Sequence, residues 1–122
     1  MNYFEPLPGA CPELDAKTHV GVVYRLVSEP VNESDFLSHR ALFPEKVFHA
    51  SECRAMSVSV FTDMDAAKKL LGLPNNARKK VVAIKLNEHA GVIKRTGKAD
   101  HHHSWWRSRT FTVLNAIEVI TS

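Results

Sequence analysis

An α+β fold, one domain built on a mixed or antiparallel sheet of about five strands with one or two helices packed on it, follows from three features of the sequence. Val20 to Val27 and Lys79 to Leu86 are β-branched runs of strand length, and Met56 to Phe61 is a third. Directly after the third run comes Asp63, a helix-capping residue. Behind it Met64, Ala67, Leu70 and Leu71 recur at helical spacing until Gly72 and Pro74 end the pattern in the expected order. A strand, a helix and a strand in succession require a connection that is either a parallel crossover or an α+β return.

The remaining elements are assigned in chain order. Residues 1–18 hold three prolines, one glycine and no clean period, so they read as an irregular arm that packs over the domain or frays, and Tyr3, Phe4 and Leu7 argue for packing. Val20 to Val27 is the first strand, stopped near Pro30. Asn32 caps a short helix through Phe36, Leu37, Arg40 and Ala41, which ends at Pro44. Pro44 to Cys53 is read as a loop, and Gly91 to Lys94 adds a short strand. Thr110 to Ile120 closes the chain as a strand. The predicted core is Val22, Tyr24, Leu26, Val58, Val60, Leu70, Val82, Ile84, Val113 and Ile117. No repeat, low-complexity segment or linker divides residues 1–122.

Composition narrows the class of protein. With 122 residues, 44% hydrophobic and 24% charged, the chain can bury roughly two-thirds of its unfolded surface and needs neither disulfide nor metal to fold. Cys11 and Cys53 are therefore not assumed to be a framework. With no basic and apolar leader at Met1 to Pro6, they suggest a reducing compartment, with the cytoplasm as the expected location. No run approaches the roughly 18 apolar residues of a membrane span. Charge is unevenly placed. Residues 1–61 carry five Lys/Arg against eight Asp/Glu, and residues 62–122 carry eleven against five. A basic second half fits an anionic partner, a nucleotide or a nucleic acid, or else a solvated cationic face.

Side-chain direction carries the functional reading. Period two places Gly21, Val23, Arg25 and Val27 on one face of the first strand, so Arg25 sits between two valines and needs a carboxylate, a carbonyl cluster or a bound anion. Ser57, Ser59 and Phe61 share one face of the next strand. Leu114, Ala116, Glu118 and Ile120 share one face of the last. Two readings follow. Arg25 and Glu118 form a structural ion pair, or Arg25 anchors an anion in a cleft, with Ser57 or Ser59 as hydrogen-bonding support and Glu118 or His103 as the acid/base group.

An arginine on the first strand, Ser57-Val58-Ser59 leading into a helix, and Glu118 late in the chain resemble the R-S-E layout of small bacterial ADP-ribosyltransferase-like domains. The resemblance implies NAD as cofactor, with Arg25 holding its phosphates, the serines supporting the nicotinamide ribose and Glu118 supporting ribose activation. It covers residues 20 to 120 in layout. That family places its glutamate in a Glu/Gln-x-Glu pair ahead of a final strand. Here Ala116 stands two residues before Glu118, and His102 and His103 occupy the position expected for the pair.

The densest cluster of chemistry is Asp100-His101-His102-His103-Ser104-Trp105-Trp106-Arg107. If it runs as a strand, His101, His103, Trp105 and Arg107 share one face, on which Trp105 stacks on a nucleotide-like ligand, His103 transfers a proton or hydrogen-bonds, and Arg107 meets phosphate. The expectation is that His103 and Trp105 line the pocket of Arg25 while His102 and Trp106 point away. Cys53, His49 and Asp100 lack zinc-site spacing, so no metal is expected. No glycine-rich phosphate loop or Gly-x-Ser-x-Gly elbow occurs. Cys53 is read as a small core residue ahead of a nucleophile. The competing class is a non-enzymatic nucleic-acid-binding or protein-interaction module that combines Trp105 and Trp106 with the cations of the basic half. The sequence does not define an oligomeric state.

Overall fold

The computed structural model describes residues 1–99 and 101–120. Its centre is an antiparallel sheet of six strands: β1 (Gly21–Val27), β2 (Val58–Phe61), β3 (Lys80–Leu86), β4 (Gly91–Arg95), β5 (His102–Arg107) and β6 (Ile117–Val119). They lie in the order β4-β5-β2-β1-β3-β6. Since β2 and β3 both run antiparallel to β1, they are parallel to each other, and the chain between them crosses over β1. That connection holds α3 (Met64–Lys69), capped by Asp63, whose side chain accepts from the Ala66 N–H; a 3-10 turn, Leu70–Gly72, ends it. The α+β class is as expected. The sixth strand arises because the His/Trp stretch forms β5, separate from the last strand.

Each face of the sheet buries its own apolar set. Behind one face lie Val23, Val27, Val58, Val60, Val82, Ile84 and Trp105, covered by Phe36, Phe111 and Val113 from the loops. On the other, α3 packs Ala67 over Phe61 and Val81, flanked by Tyr24, Leu26 and Leu70. The expected core is thus corrected in one respect. The larger core takes Val23 and Val27, while Val22, opposite Lys85 near a strand end, is 41% exposed. Two apolar faces on β1 leave alternation nothing to choose between.

Three other expectations are corrected. The helix after Asn32 is two pieces, a 3-10 turn at Glu33–Phe36 and α1 (His39–Leu42), because Ser38 starts a second cap and also donates through its N–H and hydroxyl to Glu5. The loop before Cys53 ends in a further turn of helix, α2 (Glu52–Ala55), capped by Ser51. Of Thr110 to Ile120 only Ile117–Val119 is strand; Phe111 and Val113 turn into the core, and a 3-10 turn at Val113–Asn115 interrupts the ladder.

The N-terminal arm is packed, not frayed. Tyr3 bridges to Ser108 and Lys17 to Ile93, so the arm borders the β4/β5 end of the sheet. Cys11 and Cys53 form a disulfide that ties the arm to α2, which corrects the reading of Cys53 as a lone core residue or nucleophile. Glu13 completes the clamp, accepting from Arg54 Nε at 2.7 Å and Lys94 Nζ at 2.7 Å. No helix among the described residues is long and apolar enough to cross a membrane.

Two expectations follow for stability. The disulfide joins residues 42 apart, and opening it with a Cys11→Ser, Cys53→Ser double change should cost about 2–4 kcal/mol in urea unfolding. Unchanged stability would mean that the arm is not part of the cooperative unit. The bonds from Arg54 and Lys94 lower the Glu13 carboxyl from its ordinary 4.5 to about 2. Its contribution is therefore complete above about pH 4.5 and lost as pH falls through about 2. Unfolding curves of Glu13→Gln should fall less steeply than wild type across that window, and parallel curves would deny the clamp any effect.

Candidate functional site

The ladder is continuous from Gly21 opposite Leu86 to Val27 opposite Lys80 between β1 and β3, yet β1 and β2 pair only at Tyr24 and Phe61. Beyond that pair the two strands part. The Arg25 guanidinium lies in the opening: Nη1 donates to the Ser59 carbonyl at 2.6 Å and Nε to the Asp35 carbonyl at 2.7 Å. A side chain thus supplies a link that the backbone does not make. Burial lowers the pKa of Arg25 to about 10, against the opposing charge of Asp35, and the group stays cationic at neutral pH. Two of its five N–H donors are engaged by these bonds.

A groove follows this opening. One half is lined by Arg25, Leu26, Phe61, Leu70, Asn76 and Lys79, the other by Phe48, Arg54, Ala55, Ser57, Thr96 and Ser104. His39, Ser59 and His102 line both halves and mark the junction. The two halves have cavity volumes of about 210 and 280 Å³, each smaller than the roughly 300 Å³ of a small ligand pocket, and both are open to solvent. No carboxylate lines either half among the described residues. Nor does Arg25 have one in ion-pair contact. Asp35 turns its carboxylate to the Ser28 N–H, the Ser28 hydroxyl and the Asn32 N–H, and those bonds, with the Arg25 charge, hold it low even though burial alone would raise it.

Polar groups at the other half are ordered by one another. Ser57 Oγ donates to the Arg54 carbonyl at 2.7 Å. Ser59 stands opposite Ser104 in the β2/β5 ladder, and Ser104 Oγ lies 2.7 Å from Thr96 Oγ1. His102 Nδ1 lies 2.8 Å from the Thr96 carbonyl, and its ring packs edge-on to Phe61. Burial first, then the charges of Arg25, Lys46 and Lys79, lower the pKa of His39, so its imidazole is neutral at pH 7.

Several residues expected at this site lie elsewhere. Alternation along β5 holds, but it selects the opposite set. His103, opposite Val60, faces away from the groove and lines a shallow depression with Lys17, His19 and Arg95. His101 has φ 63°, so the regular alternation begins only at His102; its Nδ1 lies 3.4 Å from Thr62 Oγ1. Both tryptophans are buried, Trp105 donating to the Ala90 carbonyl and Trp106 to that of Cys53, which leaves no ring face for stacking on a ligand. Arg107 is also interior, donating to the Phe36 carbonyl and to Glu33 with its guanidinium over the Phe4 ring. Glu118, on β6 opposite Ala83, is separated from β1 by β3 and exposed, so neither the Arg25–Glu118 pair nor a carboxylate in the groove is formed.

Of the expected residues, Arg25 meets Ser59 through the Ser59 carbonyl, and Ser57 lines the other half of the groove. The reading missed His39, Asn76, Lys79, Thr96 and His102. Only His102 left a signal, since it and Ser104 alternate on β5 as Ser57 and Ser59 do on β2. Asp100 of the considered zinc set lies outside the described residues; Cys53 is in the disulfide. In comparisons with known proteins, no family model, no curated protein and no solved structure matches this chain.

Because Arg25 bonds two carbonyls and not a carboxylate, Arg25→Met should cost about 1–3 kcal/mol in urea unfolding, the penalty of unpaired acceptors. A loss of about 3–5 kcal/mol would instead signal a stranded buried charge.

Proposed function

We propose that the groove between β1 and β2 binds a phosphate-bearing, nucleotide-type ligand. The observation that carries this reading is the acid-free lining around Arg25, with Lys79 and the Asn76 amide beside it. Donors gathered without a carboxylate favour an anion, and a guanidinium held in a fixed position meets phosphate oxygens at little further ordering cost. Hydroxyls and imidazoles at the junction and in the other half suit the sugar of a nucleotide.

NAD used in an ADP-ribosyltransferase-like reaction is the specific form of this reading. Arg25 beside Ser59 supports it, with phosphate at the first and ribose at the second. The third role has no carboxylate in the groove, so a transferase of this kind would draw its acid/base group from the imidazoles. The alternative is a non-enzymatic module that holds a nucleic acid or a protein through the basic half; Lys79 and Lys98, both exposed, are the kind of group it would use. No metal enters either reading. Cytoplasmic residence goes with a reduced Cys11/Cys53 pair, and the bonded pair favours oxidising surroundings.

Thermal-shift measurements with AMP, NAD and a short oligonucleotide test the reading. A nucleotide at about 100 times its dissociation constant should add about 2.7 kcal/mol of stability, and Arg25→Lys should remove most of that gain. Stabilisation by the oligonucleotide alone would move the function to the basic surface. No response to any of the three would reject the nucleotide site.

A further inference from the structure

We propose that His102 is the proton acceptor of the groove, presenting the Nε2 lone pair to a hydroxyl of the ligand, so that the preferred ligand is a phosphate ester with a free hydroxyl and not a bare anion. This rests on the reading of the groove as a nucleotide-type site.

The tautomer of His102 is set by its surroundings. Nδ1 lies 2.8 Å from the Thr96 carbonyl oxygen, which can only accept, and a longer 3.3 Å from the Thr96 hydroxyl, whose nearer partner is Ser104 Oγ at 2.7 Å, so the proton of the neutral ring sits on Nδ1. Thr96 itself is held, with Oγ1 2.7 Å from Ser104 Oγ in a buried pair. Gly97 closes the same edge of the ring. A Cβ placed there would come within 3.2 Å of Nδ1, so the 96–97 backbone wraps that side closely. Nε2, across the ring, makes no hydrogen bond to any described residue. The ring lines both halves of the groove at their junction.

An acceptor at this place is informative because, among the described residues, the charged groups facing it are cations. Arg25 comes from β1, Arg54 from α2 and Lys79 from the turn before β3, and neutral His39 from α1 completes the surround. Arg54 is already paired with Glu13, and Arg25 and Lys79 can be satisfied by phosphate oxygens. A lone pair on Nε2 cannot, because a phosphate dianion offers no proton to it. A hydroxyl a few bonds from the phosphate donates to Nε2 while the phosphate reaches Arg25. The pair of sites thus selects an ester over inorganic phosphate. In the β5 alternation this is the position opposite in direction to His103.

The test uses the 122-residue chain at pH 8, above the ordinary imidazole range of about 6.5. Long-range proton–nitrogen correlation of the ¹⁵N-labelled protein should show His102 protonated at Nδ1, and addition of AMP should shift its Nε2 resonance while inorganic phosphate does not. By calorimetry, His102→Phe should weaken AMP by about three- to ten-fold, the loss of one hydrogen bond, and leave inorganic phosphate unchanged. His102→Gln, which keeps an acceptor near the Nε2 position, should stay within about three-fold of wild type. An Nε2-protonated ring, or equal losses for AMP and phosphate, or AMP binding indifferent to His102→Phe, would overturn the proposal and leave the groove reading standing. Wild type that binds neither probe would reject the groove reading, and the proposal with it.

Discussion

The guanidinium of Arg25 holds open the one place where the sheet is not laddered. A regular β1/β2 pairing would satisfy the Ser59 carbonyl from a backbone N–H, and the strands would close at about 4.8 Å. Arg25 satisfies it from a side chain instead, and reaches the Asp35 carbonyl as well. Both acceptors are partnered without the strands meeting, so the opening costs the fold no orphaned carbonyl. Everything proposed for the groove depends on that substitution of a side-chain donor for a ladder bond. Asp35 contributes from behind, because its carboxylate fixes the turn whose carbonyl Arg25 uses and leaves the guanidinium without a neutralising partner in contact.

The far wall of the groove is not part of the sheet. Arg54 and Ala55 belong to α2, a single helical turn too short to be stable alone. The N-terminal arm supplies what the turn lacks. Cys11 bonds Cys53 within α2, Glu13 grips Arg54, and Trp106 donates to the Cys53 carbonyl from beneath. The arm continues to Lys17, which bridges Ile93 on β4. At Gly91 the same strand passes so close to β5 that a Cβ would lie 2.1 Å from the Trp106 carbonyl oxygen, a contact only glycine permits. Residues far apart in sequence thereby fix one wall of the groove and the β4/β5 edge of the sheet.

What could be read from the sequence divides along the same line. Strand runs and the Asp63-capped helix were legible because their signals are local: β-branched stretches, period and a cap. The shared face of Ser57 and Ser59 was legible too, and so was the need of Arg25 for partners, since a charge between two valines is a local contradiction. The choice of partner was not, because carbonyls carry no sequence signal and Asp35 offers its backbone, not its carboxylate. Which side of β5 faces the groove was also hidden. Trp105 and Arg107 have the residue types of a ligand site, but an indole with a carbonyl partner and a guanidinium sandwiched by Glu33 and Phe4 are equally good interior groups. Direction along a strand is set by what covers each face. Here the cover comes from the arm and the 3-10 turns, the least periodic parts of the chain.

The cation-lined groove has an electrostatic cost that shows in His39. Arg25 is desolvated, Lys79 stands near it, and no described carboxylate lines the space between. The imidazole at the junction responds by giving up its proton, with burial and the charges of Arg25, Lys46 and Lys79 all acting in that direction. An anion placed between these groups would oppose the three cationic charges acting on His39, while burial, the larger cause, would remain. By linkage, that Coulombic part alone would couple anion binding to proton uptake at His39. His102 differs in being held through Nδ1 at 2.8 Å from the Thr96 carbonyl oxygen. The two imidazoles that border both halves of the groove thus differ in their surroundings: His39 is acted on by burial and three cations, and His102 is anchored through Nδ1.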